Sequence, residues 1–139
     1  MKKTKGHIDT YESMYPVLLV VADENATIEE LRKLYTECDG TELQDDDMSY
    51  TPGICIKAIR KSDERAVLLV RMAGEDKKYY KDKLDRKIEF ISRIAHEATH
   101  VALSTYERID EIACNKCQEP FAYYVEWIVK CICKTVFKK

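Results

Sequence analysis

The sequence predicts an α+β fold, and three observations lead there. Apolar runs rich in β-branched residues fall in the first half, and two of them flank a short polar turn. Helical periodicities that carry polar motifs fall in the second half. Strands that come early and helices that come late, instead of a strict alternation, point to the α+β class. The chain has 139 residues. We expect a single domain over residues 1–139, since a chain of this length buries roughly two-thirds of its unfolded surface.

Residues 15–22, "YPVLLVVA", form a short continuous apolar run, which predicts a buried strand. In "ATIEELRKLYTECDG", Thr27 and Glu30 make a capping box, Ile28, Leu31, Leu34 and Tyr35 an apolar stripe, and Gly40 a stop. This spacing predicts a helix of about three turns. "TELQDDDMSYTP" reads as a solvated loop, because its aspartates lack the glycine and spacing of a calcium loop. Residues 54–60 and 66–72 then predict a hairpin across "KSDE". From 81 to 106 the pattern is helical, with Leu84, Ile88, Ile91, Ala95, Ala98 and Ala102 as the expected core stripe. After a break over 108–115, Asn115 as cap and Gln118 three residues on open a last helix to about Val136. No internal repeat or low-complexity segment interrupts this order.

Hydrophobic residues make up 45% and charged residues 35% of the chain, which suits a soluble globular protein. The balance of 23 basic and 25 acidic residues gives a net charge of −2. No field of one sign points to nucleic acid or an anionic membrane. "YPVLLVVA" is too short to span a bilayer and has no cleavage signature after it, so a cytoplasmic location is expected. The six cysteines are then expected to be reduced thiols.

The segment with the most chemistry in it is "RIAHEATHVAL". On a helical wheel His96 and His100 lie about 40° apart and one turn along the axis, so both imidazoles can meet one ion. They point roughly 140° from the expected core stripe, toward a cleft or second layer. Glu97, about 100° round from His96, can reach a water bound to that ion. Two ligands at i and i+4 with a base beside them is the mechanical content of the H-E-x-x-H motif. A catalytic zinc takes three protein ligands and a water. C-terminal to His100 the third is sought among Glu107, Asp110, Glu111, Glu119, Glu126 and the cysteines. Glu107 is about 10 Å further along a continuous helix, too far for the same ion. Glu119 opens the following helix and can meet the ion from an antiparallel direction.

"HEATH", followed 19 residues after His100 by Glu119, resembles the gluzincin arrangement of zinc metallopeptidases. "NKCQEPFAYYVEW" is similar to the "NEPFAY"-type stretch that follows H-E-x-x-H in small proteins of phages and integrated elements. It also resembles, more distantly, the Glu-x-Phe-Ala pattern of metallopeptidases that cleave prophage repressors. The likeness covers about residues 88–130. It implies a minimal zincin-like fold, a small sheet and hairpin packed on an active-site helix with a second helix after it. It implies Zn2+ held by His96, His100 and Glu119, with Glu97 as general base and a peptide or protein as substrate. Tyr123, one turn after Glu119, is a candidate oxyanion donor as well as a rim or core residue. The chain departs from large gluzincins in having no histidine after His100. By the same analogy an edge strand should pair with the substrate, and residues 66–72 are the expected strand.

Three other readings compete. Cys114 and Cys117 with Cys131 and Cys133 suggest a cysteine zinc site, but residues two apart on a helix lie about 200° round from each other. A redox role for Cys114-x-x-Cys117 lacks the βαβ context. A non-catalytic zinc-containing binding protein of a phage or mobile element keeps the ion and loses the chemistry, and a metal-free interaction module has neither. The intact Glu97 favours the hydrolase, since a purely structural ion has no use for a base. His7, alone near the terminus, is expected to be incidental.

Overall fold

The computed structural model describes residues 4–45, 52–112 and 114–138. The chain forms β1 (Ile8–Tyr11), β2 (Leu18–Ala22), α1 (Ile28–Leu34), β3 (Tyr35–Glu37), β4 (Gly53–Arg60) and β5 (Ala66–Met72). Then come α2 (Lys83–Arg108), a 3-10 turn (Asn115–Cys117) and α3 (Gln118–Val136). The five strands make one mixed sheet in the order β1-β2-β5-β4-β3, so the fold is α+β as expected. β2 and β5 run parallel and are the inner strands, and the β4–β5 hairpin pairs from Ile59↔Ala66 to Gly53↔Met72.

Burial on both faces explains why β2 and β5 read as near-continuous apolar runs. One face, with Leu19, Val21, Leu68, Val70 and Met72, packs on α2 and α3 through Ile94, Ala98, Val101, Ile128 and Ile132. The other, with Leu18, Val20, Val67 and Leu69, is covered by Ile28 and Leu31 of α1 and by Leu43. α3 returns antiparallel along α2. The Tyr124 and Thr105 hydroxyls lie 2.9 Å apart, and the Phe121 ring sits 5.1 Å from that of Tyr106. The two chain ends meet at Thr135, whose Oγ1 donates to Asp9 Oδ2 at 2.8 Å and lies 2.7 Å from the Tyr11 hydroxyl. Lys138 Nζ adds an ion pair to the same Asp9 oxygen at 2.8 Å.

Several expectations need correcting. The helix capped by Thr27, whose Oγ1 accepts from the Glu30 amide at 3.1 Å, stops at Leu34. Tyr35–Glu37 is drawn into pairing with residues 58–60 of β4, so sheet pairing overrides local helical preference. β1 was not expected at all, because "IDTY" is short and polar on an edge. Asn115 lies inside the 3-10 turn instead of capping a helix. His7 is not isolated: its amide and Nδ1 meet the two Asp23 carboxylate oxygens at 3.0 and 2.9 Å.

The most consequential correction concerns α2. Leu84, Ile88 and Ile91 of the expected core stripe are 65%, 54% and 49% exposed, and Ala95 is exposed too. Ala98 and Ala102 are buried as expected, but with Phe90, Ile94, Val101 and Thr105. The core direction is therefore turned by about 60° from the stripe toward the sheet. That turn carries Glu97 into the buried sector while His96 and His100 stay at its rim.

Candidate functional site

Mid-helix in α2, His96 and His100 face each other across one turn, with Nε2 atoms 3.1 Å apart and ring centroids 4.8 Å apart. At that distance one imidazole donates a hydrogen bond to the other, as positions four apart on a helix allow. Both remain exposed, so both Nε2 atoms are reachable from a shallow cavity of about 260 Å³. Glu97 lines the same cavity, but its side chain is sunk beneath the rim and the residue is only 5% exposed. Its Oε2 has no hydrogen-bond partner among the described residues. Burial pushes its carboxyl above the ordinary carboxylate range, and the nearby charges of His96 and His100 act against that rise.

The opposite wall is β4. Alternation along the strand turns Gly53, Cys55 and Lys57 toward α2. A Cβ at Gly53 would stand 3.1 Å from Glu97 Cγ and Oε1, so the missing side chain is what lets the carboxylate lie under the strand. Cys55 is half-buried beside it, and burial together with the Glu97 charge pushes its thiol up to about 12. Arg93, one turn before Glu97, fixes strand to helix. Its guanidinium donates to the carbonyls of Pro52, Ala73 and Gly74 at 2.9, 3.2 and 2.8 Å, and its Nε to Glu89 at 2.6 Å.

The expected edge strand is a different one. β5 is paired on both sides, by β2 and β4, and has no free edge. β4 is covered by β3 only over residues 58–60, so among the described residues its outer edge at 53–57 is unpaired, beside the histidines.

Glu119 and Tyr123 are not brought to this cavity. Since Phe121 lies against Tyr106 and Tyr124 against Thr105, Glu119 falls beside residues 108–110 of α2. That is roughly 12–15 Å beyond His100 along the axis. α3 also packs on the Thr105–Tyr106 side, about 100° or more round from the histidines. Glu119 is exposed in the first turn of α3, and Tyr123 is 66% exposed. Among the described residues, no group of three or more His, Cys, Asp or Glu side chains is gathered to hold one metal ion.

Gly53, Cys55, Lys57 and Arg93 were not singled out from the sequence. The usable signal was the small–small alternation in "GICIK", which marks a strand face against which something packs closely.

No family model, curated protein or solved structure matches the chain. No described helix is long and apolar enough to cross a membrane.

Proposed function

We propose that the chain is a zinc-dependent hydrolase of peptide bonds, a small metallopeptidase with a site centred on His96, His100 and Glu97. The observation that carries this reading is the pair of imidazole nitrogens 3.1 Å apart over one cavity with a buried, partnerless carboxylate oxygen. The donor chemistry fits zinc. Two Zn–N bonds in a tetrahedral site hold their nitrogens roughly 3.3 Å apart, close to the separation observed. His96 and His100 would hold the ion through Nε2. When bound, zinc makes its water more acidic and polarises a carbonyl oxygen. Glu97 takes a proton from the attacking water and returns it to the leaving amine. The β4 edge at 53–57 aligns the substrate by backbone pairing, which gives affinity with little sequence preference.

Glu119 is left out of the ligand set on the distance argued above, and Tyr123 with it. Cys38, Cys55, Cys131 and Cys133 are free thiols, which supports a reducing, cytoplasmic setting. The resemblance of "HEATH" and "QEPFAYY" to phage and integrated-element proteins supports an origin of that kind. The second reading, a non-catalytic zinc-containing binding protein, is favoured by the lack of a third described ligand beside the histidines.

Elemental analysis of the purified chain tests the first link. About one zinc per chain is expected, lost in His100→Ala and kept in Glu119→Ala. No zinc after reconstitution refutes the site. Loss in Glu119→Ala would mean that the first turn of α3 is a ligand after all. Glu97→Gln should keep the zinc and abolish cleavage of a peptide library. If the wild type cleaves nothing while holding its zinc, the binding reading takes its place.

A further inference from the structure

We infer that the slot between the β4 edge and α2 receives the carboxyl end of an extended polypeptide, with the terminal carboxylate held by Lys57 and Arg108. This rests on the hydrolase reading and narrows its substrate class.

The slot has a blind end. Among the described residues its open edge covers residues 53–57, five residues or about 17 Å of strand. Beyond it β3 already occupies the edge, with Glu37 paired to Ala58. A chain added to β4 must stop or leave the sheet plane there, so the slot favours a terminus over a continuous chain.

The chemistry at the blind end selects which terminus. A second cavity, of about 180 Å³, opens there with Val17 and Leu68 among its walls and Lys57, Glu107 and Arg108 around it. Lys57 and Ser104 line this cavity and the histidine cavity alike, so the two adjoin. Two cations face one carboxylate. Lys57 Nζ lies 3.7 Å from Glu107 Oε2, with both side chains more than half exposed, a pair that competes weakly for the lysine. Arg108 has no ion pair among the described residues. The helix end nearby would oppose an anion through its carbonyls, but those of Thr105, Tyr106 and Glu107 are taken by the amides of Ile109, Glu111 and Asp110. The site is left with one uncompensated positive charge, which matches a carboxylate and disfavours an ammonium.

Register follows from this. A chain with its carboxyl end at Ala58 runs parallel to β4. The bond facing the histidines, level with residues 53–55, then lies three to five residues before its end. In hydrolysis water adds to that carbonyl carbon and the C–N bond breaks. Glu97 passes the proton to the departing amine, and a fragment of about three to five residues leaves with the original carboxylate.

The test measures binding, which needs neither zinc nor turnover. A pentapeptide of alanine and valine, fluorescein-labelled at its amino end, is titrated into the zinc-free chain as the free acid and as the amide. The free acid should bind about tenfold tighter or more, as a charge-assisted contact predicts. The difference should vanish in Arg108→Gln and in Lys57→Met, both at exposed positions, with amide shifts confined to residues 53–57. Joining the carboxyl end to the amino end in a cyclic peptide of the same residues should abolish binding, and so should a carboxyl-terminal extension that ends in an amide. Equal affinity of acid and amide, unchanged binding of the cyclic or the extended peptide, or no binding of either form would overturn the inference. A chain that takes up no zinc on reconstitution yet discriminates acid from amide would overturn the hydrolase reading alone.

Discussion

Replacing Glu97 by methionine should stabilise the zinc-free protein at neutral pH. The glutamate is 5% exposed, with one carboxylate oxygen lacking a partner and Gly53 packed against it. A buried polar group left unsatisfied costs about 1–3 kcal/mol, and a charged one more. Methionine keeps a similar length and removes that cost, so a gain of about 1–3 kcal/mol is expected, or roughly 3–15 °C in Tm for a chain of this size. The pH dependence has a definite sign. Burial raises the folded-state pKa above its ordinary 4.5, so the folded state binds the proton more tightly than the unfolded one. The glutamate's penalty is full above the folded pKa and is relieved as pH falls through it toward 4.5. The advantage of Glu97→Met should thus be largest near neutrality and shrink on acidification. Thermal unfolding followed by circular dichroism in chelator, at several pH values, reads both effects. A variant no more stable than the parent at neutral pH, or an advantage that grows as pH falls, would refute the burial argument.

Gly53→Ala should cost about 1–2 kcal/mol, because its Cβ would meet the Glu97 carboxylate at 3.1 Å and force strand and helix apart. Chemical denaturation of Gly53→Ala, alone and combined with Glu97→Ala, measures this, and the second change should relieve the first. Ile94→Ala should cost about 2–5 kcal/mol and Ile91→Ala well under about 1 kcal/mol. Similar denaturation midpoints for these two would mean that the core face of α2 is not where it is described. Arg93→Lys should be destabilising although it keeps the charge, since one ammonium cannot span the carbonyls of Pro52, Ala73 and Gly74. Hydrogen exchange at residues 53–57 should speed up in that variant.

Much of the fold was legible because burial on two faces leaves a simple mark. β2 carries an unbroken apolar run and β5 one interrupted only by Arg71, and the hairpin turn between residues 60 and 66 is polar. β3 was not legible, since "YTE" continues a good helical pattern and only its partner strand makes it extended. The α2 stripe misled for a related reason. Leu84, Ile88, Ile91 and Ala95 share a face with Ala98 and Ala102, yet the sheet and α3 cover the neighbouring face marked by Phe90, Ile94 and Val101. Periodicity records which residues align and not which face the neighbouring elements cover. The histidine pair was legible because spacing along one helix fixes it. Glu119 was placed by likeness to a pattern, and the antiparallel pairing of two helices moved it away.

The knot at Thr135 has a consequence for how the sheet can fray. Its hydroxyl joins Asp9, 126 positions away, so one side chain of the last helix fastens the outermost strand. Lys138 holds the same Asp9 oxygen. Apart from its ladder with β2 and the His7–Asp23 contact at its start, β1 is tied down by α3 and not by its own hairpin. Loosening the last turn of α3 therefore also frees an edge strand far away in sequence, and the two should open as one cooperative unit.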